Sequence, residues 1–222
     1  MDKPPKESKV DVAAKFAEAA ISAIPIVGGP VAVLSELVGG PITRRRQLWF
    51  SQLATVVTEL QNRVAELSKP LDQNEDFATA VLWASQIAIR TRRDEKLAAL
   101  RNAVRNSALT SSLQEDLQVL FLRFIDELTA SHLRVLRVLD APTESISQTR
   151  REMRTFGGLA LVIYHCVPEL NGQGQFCEQL CRDLQNRGLV VQGLNFNTAM
   201  TADAVLSPRT TDMGKQFRAF IS

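Results

Sequence analysis

The residues with the clearest chemical potential are three cysteines toward the C-terminal end. Cys177 and Cys181 are four positions apart, so a helix would place both thiols on one face, and the pair His165-Cys166 precedes them. Thiolate and imidazole are the ligands of tetrahedral zinc. However, the spacing matches no established zinc motif, and cysteine is among the residue types most often buried. We therefore predict three thiols in the core, with no metal and no cofactor.

Catalytic signals are weak. His132 and His165, the two histidines of the chain, have no nucleophile-elbow motif G-x-S-x-G near them. The sequence also lacks a P-loop and a G-x-G-x-x-G motif, and Gly172-Gln173-Gly174 is too short to cradle a phosphate and predicts a turn. The acid pairs Glu115-Asp116 and Asp126-Glu127 lie on amphipathic helices. We name no catalytic residue and expect a non-enzymatic protein.

Two arginine runs are the strongest candidates for binding an anionic partner. The first opens a predicted helix, where basic side chains are unfavourable because a helix N-terminus already carries partial positive charge. Salt bridges to acids elsewhere in the fold would explain this cost simply; contact with an anionic partner or lipid headgroup would explain it functionally. The candidate contacts are Arg44, Arg45, Arg46, Arg90, Arg92 and Arg93.

The stretch Ala19–Gly40 holds a single charge, Glu36, and is long enough to nearly span a bilayer. Its prolines and glycines break it, so we predict an apolar hairpin over residues 11–41, with two short helices and a stop at Gly39-Gly40-Pro41. The hairpin either packs as core or engages a membrane. The candidate membrane contacts are Ile24, Pro25, Gly28, Gly29, Pro30, Leu34 and Leu37.

The elements that must position these residues are mainly helical. The chain has 222 residues, and its 45% hydrophobic and 23% charged content is typical of a globular protein, while a net charge of +2 argues against bulk electrostatic binding. Residues 1–10 read as a flexible tail and residues 11–127 as a helical bundle. Its clearest helix has a heptad-like apolar seam. The seam comprises Trp49, Leu53, Val56, Leu60, Val64 and Leu67.

Residues 128–222 predict an α+β module that resembles a winged helix. Helices are followed by a strand at 189–191, a loop, a second strand at 204–206 and a closing helix at 212–221. In such a module the helix before the wing contacts DNA. Here that helix, 175–187, has no net charge, and the wing, 193–203, contains no lysine or arginine. Because phosphate neutralisation supplies most non-specific DNA affinity, a packing or protein-interaction role is favoured.

The whole layout resembles the abortive-infection alpha class, in which an apolar N-terminal segment precedes helices and a terminal helical module. The residues that carry this resemblance are Phe121, Phe124, Leu128 and Thr129. The resemblance implies phage defence or self-limiting cell damage and supplies no catalytic residue.

Together these features predict a bacterial effector or interaction protein that acts through a protein partner, self-association or an anionic membrane. Because residues 1–10 lack the apolar core of a signal peptide, we expect it in the cytoplasm, with access to the inner membrane surface. The alternative is a winged-helix DNA-binding regulator that uses Arg182, Arg187 and the two arginine runs.

Overall fold

The computed structural model describes residues 30–109, 113–142, 158–194, 196, 198 and 200–222, with residues 30–38, 64 and 202 described by their backbone alone. The prediction of a mainly α protein is confirmed over these residues. Its α-helices are α1 Pro30–Asn62, α2 Glu75–Arg90, α3 Asp94–Ala108, α4 Glu115–Glu127, α5 Ala130–Asp140, α6 Leu159–Cys166, α7 Gly174–Asn186, α8 Ala202–Val205 and α9 Asp212–Phe220. Short 3-10 helices lie at Val64–Glu66, Leu71–Gln73 and Pro168–Leu170.

Helix α1 runs for 33 residues and passes through Gly39-Gly40-Pro41, so the predicted stop at these residues is wrong. A proline inside a helix removes one backbone hydrogen bond, while the residues after it continue the ladder. A Cβ atom added at Gly39 or Gly40 would meet nothing within 4 Å, so crowding does not end the helix there. The first helix of the predicted hairpin and its turn, residues 11–29, lie outside the described residues.

The first four residues of the apolar seam face the core as their spacing predicts, whereas α1 ends at Asn62, so the prediction that Val64 and Leu67 continue the same helix is wrong. Trp49, Leu53, Val56 and Leu60 are each at most 5% exposed. Helices α1, α2 and α3 pack on one another, and the Trp49 indole Nε1–H donates to Ser85 Oγ of α2 at 2.9 Å. This bond satisfies the polar edge of a fully buried ring and fixes the position of α1 against α2.

The winged-helix module is not supported. The predicted second strand is wrong, because Ala204 and Val205 belong to helix α8. An antiparallel bridge joins Val190 to Thr210 in the C-terminal part, and no strand is assigned among its described residues. The correction has a local cause: the Thr201 hydroxyl accepts the Ala204 N–H at 3.3 Å and caps a helical turn. That turn buries Val205 without the alternation that a strand would need.

Helix α9 closes the core with an aromatic cluster. Phe121 and Phe124 of α4 meet Phe217 and Phe220 of α9, with ring centroids 5.3 to 5.8 Å apart between the two helices. The Asn106 amide of α3 donates to the carbonyls of residues 219 and 220, at 3.1 and 2.9 Å. Buried side chains between Trp49 and Ile221 form one hydrophobic cluster. The domain boundary at residue 128 stays a prediction.

Candidate anion-binding surface

The antiparallel packing of α1 and α2 brings the two arginine runs to the same end of the bundle. Arg45 Nη1 donates to the carbonyl of Ile89 at 3.4 Å, although the two residues are 44 positions apart in the chain. Ile89 directly precedes Arg90, the last residue of α2. Arg45 therefore lies beside the end of α2, and Arg92 and Arg93 follow that end in the link to α3.

These arginines differ in how they are held. Arg90 forms an ion pair with Asp126 of α4 at 2.9 Å, yet its side chain stays 64% exposed. Arg44, Arg92 and Arg93 are exposed and form no ion pair with a described residue. Salt bridges inside the fold therefore account for Arg90 and leave three guanidinium groups open to an external anion. We call the six arginines the basic surface.

The predicted cost of the first arginine run is not present. Arg44 lies about four turns after the start of α1 at Pro30, so the run is remote from the positive end of the helix dipole. Arg45 instead meets the carbonyl end of α2, where a cation is favourable. The helix dipoles therefore do not destabilise these arginines, and the prediction that they occupy an unfavourable helix N-terminus is wrong.

The basic surface includes the part of α1 that shortly precedes Trp49. Between residues 39 and 48 every residue is half-buried or exposed, and Trp49 is the first buried residue among those of α1 whose side chains the structure describes. We call residues 30–48 the arm; it extends about 28 Å along the helix from Pro30 to Trp49. Pro30, Leu34 and Leu37 lie on its helical backbone.

The remaining candidate hairpin residues, Ile24, Pro25, Gly28 and Gly29, lie outside the described residues. Among the helices described, none combines the length and apolar character that crossing a membrane requires. In the sequence of α1, the largely apolar run 31–38 is followed by the guanidinium groups of residues 44–46. Guanidinium binds phosphate through paired N–H donors, so the chemistry suits a surface rich in phosphate groups.

Arg182 and Arg187, the arginines of the regulator hypothesis, are used differently. Arg187 pairs with Glu127 at 3.0 Å and donates to the carbonyl of Asp183 at 3.2 Å. Arg182 is exposed and lines an open cleft of about 480 Å³ between α7 and residues 192–198, together with Glu178. Arg187 is therefore engaged within the fold, while Arg182 lines this cleft.

The cysteines do not form a metal site in the described part of the chain. Cys177 and Cys181 are fully buried one turn apart on α7, while Cys166 is half-buried. Burial raises the pKa of the Cys166 thiol. Within the described residues, no group of three or more His, Cys, Asp or Glu side chains is arranged to hold a metal ion.

The structure contains a series of hydrogen bonds around His132 that the sequence did not predict. His132 Nδ1 lies 3.1 Å from the Thr129 nitrogen and 2.8 Å from its hydroxyl, and Nε2 lies 3.2 Å from Asp183 Oδ2. The spacing of Thr129 and His132 signals a capping box, but Asp183 is 51 residues further on.

A hydroxyl, an imidazole and a carboxylate in series are the groups of an acyl-transfer site. Here the Thr129 side-chain oxygen caps α5 and accepts the backbone N–H of His132 at 3.5 Å. The cleft beside α7 includes neither Thr129 nor His132 among its lining residues. We therefore interpret the chain of hydrogen bonds as a device that holds helices.

No protein-family model, no curated protein and no solved structure matches this chain. Over the described residues the protein is mainly helical, and the arm of α1 continues into the first arginine run of the basic surface.

Proposed function

We propose that this protein is an effector that binds anionic membrane surfaces through the arm and the basic surface. The observation that carries the proposal is the Arg45–Ile89 hydrogen bond, which gathers two distant arginine runs at the base of an apolar helical segment. The resemblance to the abortive-infection alpha class supports phage defence as the setting. A protein partner or a second copy of this protein would then bind to the helical bundle.

The magnitudes favour a local, surface-driven interaction. Each arginine near an anionic bilayer contributes about 1 kcal/mol, and each buried CH₂ group about 0.8 kcal/mol. A net charge of +2 would supply little attraction if it were spread evenly. Clustered arginines act within a Debye length of about 8 Å at physiological salt, so their arrangement matters more than the total charge.

DNA is the competing anion, because duplex phosphates also bind guanidinium groups. The regulator hypothesis loses its wing in this structure, and one of its arginines, Arg187, is engaged with Glu127. The basic surface itself does not depend on the wing. Measuring the binding of vesicles and of duplex DNA in parallel therefore distinguishes the two ligands.

We expect the full chain to sediment with vesicles containing phosphatidylglycerol and to stay in solution with pure phosphatidylcholine vesicles. Binding should weaken as salt rises from about 50 to 300 mM, because exposed charges are screened. A duplex DNA gel shift at low salt runs in parallel. Equal binding to both vesicle types, or a DNA shift without vesicle binding, would contradict the proposal.

A further inference from the structure

The hydrogen bonds of His132 assign its tautomer. The Thr129 backbone N–H is a donor, so the nitrogen that it meets, Nδ1, must be an acceptor. The ring proton then resides on Nε2 and points to the Asp183 carboxylate on α7. The neutral imidazole therefore joins the start of α5 to α7, and it needs its lone pair on Nδ1 to do so.

Charged groups on the neighbouring helices act on this ring. Asp183 and Arg187 face it from α7, and Lys96 faces it from α3. Burial lowers the pKa of His132 and outweighs the opposing effect of Asp183, while Arg187 and Lys96 lower the pKa further. The His132 side chain is 9% exposed. The neutral form is therefore the one that the folded protein favours.

We propose that His132 is an acid-sensitive latch between α5 and α7. A proton added to Nδ1 would set a new N–H against the Thr129 N–H and would remove the acceptor that completes the capping box. The Thr129 hydroxyl would lose the same acceptor. Protonation therefore breaks the hydrogen bond from the Thr129 backbone N–H, and the Thr129 oxygen must change from donor to acceptor toward Nδ1. This inference is independent of the membrane proposal.

The latch is connected to the basic surface through the end of α4. Glu127 pairs with Arg187 of α7, next to the latch. The Asp126 carboxylate forms an ion pair with Arg90, and the Lys96 ammonium donates to the Asp126 backbone carbonyl at 2.8 Å. Loosening the turn between α4 and α5 would therefore reach Arg90 of the basic surface.

The direction of the pH effect follows from linkage. The pKa of His132 is lower in the folded protein than its ordinary value of about 6.5, so the unfolded or opened segment binds the proton more tightly. The stabilisation by the latch is complete above about pH 6.5 and is lost as the pH falls toward the folded pKa. At most, the opening equilibrium rises about tenfold per pH unit in that window.

Hydrogen exchange followed by mass spectrometry at pH 7.5 and 5.5, corrected for intrinsic exchange rates, tests the latch. In the wild-type protein we expect protection at residues 128–133 and 183–187 to fall at pH 5.5, by up to about tenfold. His132→Gln keeps a side chain suited to a capping box but cannot titrate, so its protection should be the same at both pH values. His165→Gln, at the exposed histidine, should behave as wild type.

Protection that is unchanged by pH in the wild-type protein would overturn the latch. The same conclusion would follow if His132→Gln kept the wild-type pH dependence, or if His165→Gln removed it. If His132→Gln does not fold, an NMR titration of the His132 ring in the wild-type protein replaces it. A ring that titrates at or above about pH 6.5 would then overturn the proposal.

Discussion

Replacing Gly214 with alanine is expected to lower the free energy of unfolding by about 3 kcal/mol. A Cβ atom at this position of α9 would lie 1.9 Å from the carbonyl oxygen of Leu189. That oxygen is backbone and also accepts the Thr211 N–H at 3.1 Å, so it cannot move aside without loss. Relief would require α9 to withdraw from residues 189–190 and to disturb the phenylalanine cluster behind it.

Chemical denaturation followed by circular dichroism measures this change. Gly39→Ala is the matched control, because Gly39 is helical, does not precede the proline, and an added Cβ would meet nothing within 4 Å. Alanine is favoured over glycine in a helix by about 1 kcal/mol, so this variant should be slightly more stable than wild type. If Gly214→Ala proved as stable as wild type, the close packing of α9 on Leu189 would be refuted.

Trp49→Ala is expected to cost about 4 kcal/mol of stability. The indole is 1% exposed and is the largest of the fully buried side chains, and it donates to Ser85 of α2. Truncation would leave a cavity at the point where α1 meets α2 and would remove the indole N–H that the Ser85 oxygen accepts, while the Ser85 hydroxyl keeps its bond to the Val81 carbonyl. The arm and the basic surface are positioned by the same contact, so their geometry should also loosen.

Thermal or urea unfolding gives the measurement, and the adjacent residue gives the control. Leu48 is 53% exposed, so Leu48→Ala should change stability by less than about 0.5 kcal/mol. Similar losses for the two variants would mean that the helix is rotated from the orientation described, and that the core side of α1 has been misplaced.

The parts of the fold that the sequence predicts are those fixed by local periodicity. The seam from Trp49 to Leu60 has the helical repeat and is buried as expected. The caps at Asn74 and Thr211 accept the N–H groups of Phe77 and Gly214, as their residue types suggest. These signals act within one or two turns, so no tertiary information is needed to interpret them.

The parts that the sequence did not predict depend on contacts between distant residues. Nothing in the pattern around Pro41 shows that α1 continues through it, because the cost of one proline is offset by the packed helix that follows. Val205 is apolar in either a strand or a helix, and the Thr201 cap decides the outcome.

The candidate sites depend on tertiary contacts in the same way. The neighbourhood of Arg45 and Ile89, like that of His132 and Asp183, exists only once the helices pack. The six arginines could be named from sequence, but their convergence on one surface could not.

The most direct test of the membrane proposal removes the open charges of the basic surface. In the variant Arg44→Gln, Arg92→Gln, Arg93→Gln, three exposed side chains without ion pairs to described residues are neutralised, so the fold should be unchanged. The matched control neutralises three exposed cations elsewhere, by Arg137→Gln, Arg182→Gln and Lys215→Gln.

Vesicle co-sedimentation with phosphatidylglycerol-containing liposomes compares both variants with wild type. At about 1 kcal/mol per arginine, the first variant should bind about 100-fold more weakly, and the control should lose much less. Equal losses in the two variants would show that total charge, and not the surface at the base of the arm, governs binding. Undiminished binding by the first variant would contradict the account outright.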